Sequence, residues 1–159
     1  MRVANVLVVD DDLAVCRIVQ RMLSDEQHTI QTCRSVATAL DAIEKGPFDA
    51  YLMDYKLPDG TGLEVAKRVR SKWGAAPIIL MSGYDPSAVE LRAANLQISD
   101  FIDKPFSREI ICNAVEKAIG LPAALAPAPE SHQAEGSQHT DFVPRRLAAM
   151  WRTLNSVFS

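Results

Sequence analysis

VLVVDDD, residues 6–12, is the stretch on which the reading of this chain turns. Four apolar residues of strand character run straight into three carboxylates, Asp10, Asp11 and Asp12. Adjacent like charges repel and push carboxylate pKa values up unless something positive sits nearby. A hard divalent cation such as Mg2+ is a natural partner for oxygen ligands of this kind. The plainer alternative is a solvated acidic turn that caps the following helix. A motif this short does not decide between them, so the rest of the chain must.

Working outward, residues 1–120 alternate between short apolar runs and helical stripes. Asn5–Val9, Thr29–Cys33, Ala50–Met53, Pro77–Met81 and Phe101–Ile102 read as buried strands. Between them, Val15, Ile18, Val19, Met22 and Leu23 form one helical stripe, and Val36, Ala39, Leu40 and Ile43 another. Leu63, Ala66, Val69 and Trp73 make a looser one. Ile110, Ile111, Ala114, Val115, Ala118 and Ile119 make the strongest. Thr61–Glu64 and Ser87–Glu90 fit the capping box at helix starts. Gly46-Pro47, Gly74, and Gly120 with Pro122 read as helix ends. Strands alternating with helices imply right-handed crossovers and a parallel sheet covered on both faces. The expected fold is α/β and doubly wound, with five parallel strands in the order 2-1-3-4-5, a flavodoxin-like arrangement. Such folds gather ligands at the carboxyl ends of the strands.

The 159 residues suffice for one domain with a real core and an appendage. Hydrophobic residues make up 48% and charged residues 23%, as in ordinary globular proteins. A net charge of −3 offers no broad electrostatic attraction to nucleic acid. No apolar stretch approaches membrane-span length, and the N-terminus is too short in apolar residues for a signal peptide. Cys16, Cys33 and Cys112 are too widely spaced for a zinc or redox motif. They read as reduced, buried thiols of a cytoplasmic protein.

Each strand end then offers particular chemistry. The first gives Asp10 and Asp11, with Asp12 behind them as a helix cap. The third gives Asp54, the fourth Ser82 and Gly83, and the fifth leads to Lys104 and Pro105. Several carboxylates, one hydroxyl and one ammonium on one sheet edge suit phosphoryl transfer. A carboxylate can attack phosphorus and form an acyl phosphate. Catalysis is then mainly positioning and charge neutralisation. Gly83 would let a backbone N–H approach the ligand closely.

VVDD, MDYKLPDGTGLE, ILMSG and DKPF, in this order and at these spacings, resemble the receiver domain of two-component response regulators. The resemblance covers residues 1 to about 120. It implies that Asp54 is the phosphoacceptor and that Asp10 and Asp11 hold Mg2+, with the Asp54 carboxylate and the Lys56 carbonyl. Ser82 and Lys104 would bond the phosphoryl group. The implied donor is a phosphohistidine on a sensor histidine kinase or a histidine phosphotransfer protein. Phe101 stands where the family carries a switch aromatic, often Tyr, and brings no hydroxyl. Lys104-Pro105 matches a peptide bond that is commonly cis in the family. Lys56 and Tyr84 occupy positions that tune the lifetime of the phosphoryl group. The implied protein is a signalling switch rather than a turnover enzyme, with a phosphorylation-sensitive face around the fourth helix, fifth strand and fifth helix.

Two other readings compete. Asp10-x-Asp12 and Ser82 superficially fit a phosphohydrolase of the haloacid-dehalogenase type. However, Ala14 stands where that family expects Thr or Val, no later acidic pair follows, and Asp54 and DKPF would go unexplained. A DNA-binding regulator is the other. About forty residues follow the receiver-like part, too few for a typical DNA-binding domain with its own core. Residues 121–143 are rich in Pro, Ala and polar residues and read as a linker. Residues 144–159 read as a short amphipathic helix, with Leu147, Met150, Trp151, Leu154, Val157 and Phe158 on one side. Its expected partner is a protein surface: the receiver itself, a second copy in a homodimer, or an output protein. A membrane surface is disfavoured, since three arginines and no second anchor bind weakly.

Overall fold

The computed structural model describes residues 3–120, Asp85 excepted. The expected linker and C-terminal helix lie outside the described residues.

Five strands form one parallel sheet: β1 (Asn5–Val9), β2 (Thr29–Cys33), β3 (Ala50–Asp54), β4 (Ile78–Ser82) and β5 (Asp100–Asp103). Their order is β2-β1-β3-β4-β5, the order expected from the sequence. The central strands are buried along their whole length, which is why they read as continuous apolar runs rather than alternating ones. Side chains of β1 divide between two cores. Leu7 and Val9 join Tyr51, Met53, Ile78 and Leu80 on one face, and Val6 and Val8 join Leu52, Ile79 and Met81 on the other. Each such fully buried aliphatic side chain contributes about 1.5–3 kcal/mol.

Helices α1 (Leu13–Ser24) and α5 (Arg108–Gly120) cover the second core. Helices α2 (Val36–Lys45), α3 (Gly62–Trp73) and α4 (Pro86–Ala93) cover the first. Between β3 and α3, Lys56–Leu57 and Gly60–Thr61 pair as a two-residue antiparallel ribbon.

The helix starts follow their side chains, with one exception. Asp12 caps α1, its Oδ1 accepting from the Ala14 N–H at 2.7 Å. Glu64 Oε1 accepts from the Thr61 N–H at 3.1 Å, half of the expected capping box of α3. The box expected at Ser87–Glu90 does not open α4, because that helix already begins at Pro86. Proline at a first helical position gives up an N–H that would be unbonded anyway, so it sets the start two residues early. Gly74, at φ 58°, ends α3 in the left-handed region that favours glycine.

Two members of the expected stripes face outward. Ile18 is 50% and Ile110 49% exposed, while Cys16, Val19 and Leu23 on α1 and Ile111, Ala114, Val115 and Ala118 on α5 are buried. Each exposed isoleucine directly precedes a buried residue, so it stands about 100° round the helix from the core. All three cysteines are free and buried. Among the described residues no helix is long and apolar enough to cross a membrane.

Arg70, on α3, holds the far edge together. Its guanidinium donates to the carbonyls of Leu96 and Gly74 at 2.7 Å, Ala76 at 2.5 Å and Gln97 at 2.6 Å. It thereby ties the end of α3 to the 3-10 turn (Ala94–Leu96) that follows α4.

Candidate functional site

Strands β3 and β4 each run one residue further than their apolar runs, and the added residues are Asp54 and Ser82. The ladder itself therefore holds both side chains at the carboxyl edge, with Asp54 opposite Met81 and Ser82 opposite Asp103. Asp10 follows β1 directly, and its N–H is held by the Cys33 carbonyl at 3.0 Å. Asp10, Asp54 and Ser82 are all buried.

The ammonium of Lys104 completes the cluster. It lies 2.6 Å from Asp10 Oδ2 and 3.2 Å from Asp54 Oδ2. Lys104 reaches inward from just after β5, its N–H bonded to the Ser82 carbonyl at 2.8 Å and its bond to Pro105 cis. The other oxygen of Asp10 accepts from the Asp12 N–H at 2.9 Å. One ligand oxygen from each of Asp10, Asp11 and Asp54 lies within 4.8 Å of the others. That donor set, three hard carboxylates beside the Lys104 ammonium, fits a divalent cation of the Mg2+ class.

Charge is unevenly balanced here. Burial pushes the Asp54 carboxyl above the ordinary carboxylate range; the Lys104 ammonium opposes this and the charge of Asp10 adds to it. Burial works against the charge on Lys104, but hydrogen bonding to Asp10 and the charges of both aspartates hold its pKa above the usual lysine value. The outcome is a partly desolvated carboxylate with a fixed cation beside it.

Ser82 Oγ accepts from the Tyr84 N–H at 3.0 Å, so its hydroxyl is held in the loop and points no bond at Asp54. Gly83 is exposed, and a Cβ there would meet only Lys104 Cβ at 3.9 Å, an ordinary contact. Space alone does not require glycine at that position. Phe101 is half-buried against the α2–α3–α4 core. At the rim, Lys56 Nζ donates to the Tyr84 hydroxyl at 3.1 Å, and Arg92 of α4 donates to the Tyr55 hydroxyl at 3.1 Å. The Tyr55 and Tyr84 rings meet edge-on at 6.3 Å.

Three residues matter here that sequence reasoning passed over. Gly62 packs against the backbone of Asp54. Asp59 lies in the turn of the ribbon, as its place before glycine indicates, and its carboxylate also accepts from the Val36 N–H at 2.7 Å and the Ala37 N–H at 2.9 Å, capping α2 from another loop. Arg34 donates from Nε and Nη2 to the Asp11 carbonyl at 3.2 and 3.1 Å. The repeated glycine of DGTG hinted at the first, but the other two contacts join positions more than twenty residues apart and leave no local pattern.

Comparison with known proteins agrees with this geometry. Residues 6–116 match the family described as the response regulator receiver domain. The chain is 32% identical over 105 residues to response regulator MprA of Mycobacterium sp. (strain KMS), covering 66% of this chain and 46% of MprA. It is 30% identical over 102 residues to regulatory protein VanR of Enterococcus faecium, covering 64% and 44% respectively. The chain thus spans about half the length of the curated relatives it matches. Among solved structures, chemotaxis response regulator CheY4 of Vibrio cholerae superposes with a TM-score of 0.69 at 25% identity, covering 74% of this chain and 99% of that one. The fold, the carboxyl-edge cluster and these matches together place the chain in the response regulator receiver family.

Proposed function

We propose that this receiver accepts a phosphoryl group on Asp54 from a phosphohistidine and uses it to switch a protein-interaction surface. The observation that carries the proposal is the ammonium of Lys104, 3.2 Å from Asp54 and 2.6 Å from Asp10, against the carboxylate cluster. In the transfer an Asp54 carboxylate oxygen bonds to phosphorus as the phosphorus–nitrogen bond of the donor breaks, and the imidazole leaves. Asp10, Asp11 and Asp54, with the Lys56 carbonyl, would hold Mg2+, which neutralises charge spread over the phosphoryl oxygens. Lys104 offers a second positive charge to the same oxygens. Ser82 serves the product state, its hydroxyl donating to a phosphoryl oxygen. The Gly83 N–H lies next to it and adds a further donor.

The donor is a sensor histidine kinase or a histidine phosphotransfer protein in the cytoplasm. The response is a shift between two states of the face built from α4, β5 and α5. Phe101 has no hydroxyl for that shift to use, so packing alone carries its part. The Lys56–Tyr84 contact roofs the cluster and governs how long the phosphoryl group survives. The output acts through a partner protein or a second copy of the chain.

Incubation with acetyl phosphate and Mg2+ tests the central step. The wild-type chain should gain one acid-stable, base-labile phosphoryl group, and Asp54→Asn should gain none. Undiminished labelling of that variant would overturn the assignment.

A further inference from the structure

We infer that Arg34 is a positioning residue for the cation site, acting through the backbone of Asp11. The inference rests on the Mg2+ reading above and concerns a residue that contributes no ligand.

The peptide unit between Asp11 and Asp12 is held at both ends. Its carbonyl receives two N–H groups of the Arg34 guanidinium, at 3.2 and 3.1 Å. Its N–H donates to Asp10 Oδ1 at 2.9 Å. That plane fixes two things. It orients the Asp10 carboxylate, whose other oxygen meets Lys104 at 2.6 Å. It also sets the backbone from which the exposed Asp11 side chain projects toward Asp10 and Asp54. Asp11 thus depends on its main chain for its place in the cluster.

Arg34 comes from the loop after β2, on the neighbouring strand, and is followed directly by Ser35, the cap of α2. Its own backbone is therefore also held by the cap of α2, from outside the β1–α1 turn. A planar two-donor group suits this task; a lysine offers the same charge from a single nitrogen and does not fix a plane. Charge and geometry act in opposite directions here. A cation near three carboxylates weakens their attraction for Mg2+, so removing Arg34 would tighten binding if charge were all that mattered. Positioning predicts the reverse.

The test is a calorimetric Mg2+ titration of the full chain beside Arg34→Ala and Arg34→Lys. Arg34→Ala should bind about three- to ten-fold more weakly, below the ~10–100-fold loss typical of partners that touch a ligand side chain directly. Arg34→Lys should fall between Arg34→Ala and the wild type. Equal or tighter binding by Arg34→Ala overturns the positioning role while leaving the cation site intact. A wild-type chain that binds no Mg2+ overturns both. A metal-free measurement separates positioning from loose folding. Amide exchange at Asp12 should quicken in Arg34→Ala, while exchange at Asp10, bonded to the Cys33 carbonyl, stays as in the wild type. Equal acceleration at both amides would mean general loosening of the sheet edge and would also overturn the role.

Discussion

A Cβ placed on Gly62 would stand 2.2 Å from the carbonyl oxygen of Asp54. The Gly62 N–H also bonds to the Tyr55 carbonyl at 2.9 Å, so the first turn of α3 is drawn tightly against the end of β3. Both partners are main chain, and neither can swing aside as a side chain would. Glycine here serves close approach rather than unusual dihedral angles. Gly62→Ala should destabilise the domain by about 1–3 kcal/mol, the range for overpacked sites. It should also slow labelling of Asp54 by acetyl phosphate, because relief requires the β3 end to shift. A variant with wild-type chemical denaturation and wild-type labelling would refute this.

The buried Asp54 carboxylate predicts a pH-dependent cost. Its folded pKa is raised, mainly by burial, so the linked stability is present below the ordinary aspartate value of about 3.9 and is lost as pH rises through the folded value. At neutral pH the ionised group therefore weakens the metal-free fold. Asp54→Asn should melt higher than the wild type in EDTA at pH 7, and the difference should shrink toward pH 3. Thermal unfolding across that range checks it. A lower Tm for Asp54→Asn at pH 7 would mean that attraction to Lys104 outweighs burial.

Asp59 predicts the opposite slope. Hydrogen bonds from the Ala37 and Val36 amides hold its carboxyl below the ordinary range. The stability it adds is present above about pH 3.9 and is lost as pH falls through the lowered folded value. Asp59→Ala should lower Tm by a few degrees at pH 7, and the gap should close in strong acid. A gap unchanged down to pH 2 would show that the carboxylate charge is irrelevant to the cap.

What the sequence displayed was local. Strands β1 and β2 were legible to the residue because both are bounded sharply, by charge or by capping residues. Strand β3 read one residue short and β4 one residue early, both stopping before the polar Asp54 and Ser82, although the ladder and the site include them. Stripe membership failed at Ile18 and Ile110, where hydrophobicity alone does not say which side of a helix meets the sheet. The candidate site was legible as a set of strand ends, since Asp10, Asp11, Asp54 and Lys104 do come together. Its supports were not. Arg34 and Asp59 work by contacts with backbone atoms of distant segments, which no residue type announces.

The clamp made by Arg70 has a mechanical consequence. Its guanidinium fastens the turn after α4 to the end of α3 through carbonyl groups alone, and among the described residues no carboxylate shares it. Burial lowers its pKa from a very high starting value, so it stays charged and the fastening is insensitive to physiological pH. The carboxyl end of α4 is thus pinned to α3. Any tilt of α4 would therefore be smallest at that end and largest at its Pro86 end, which follows Ser82, Gly83 and Tyr84 in the chain.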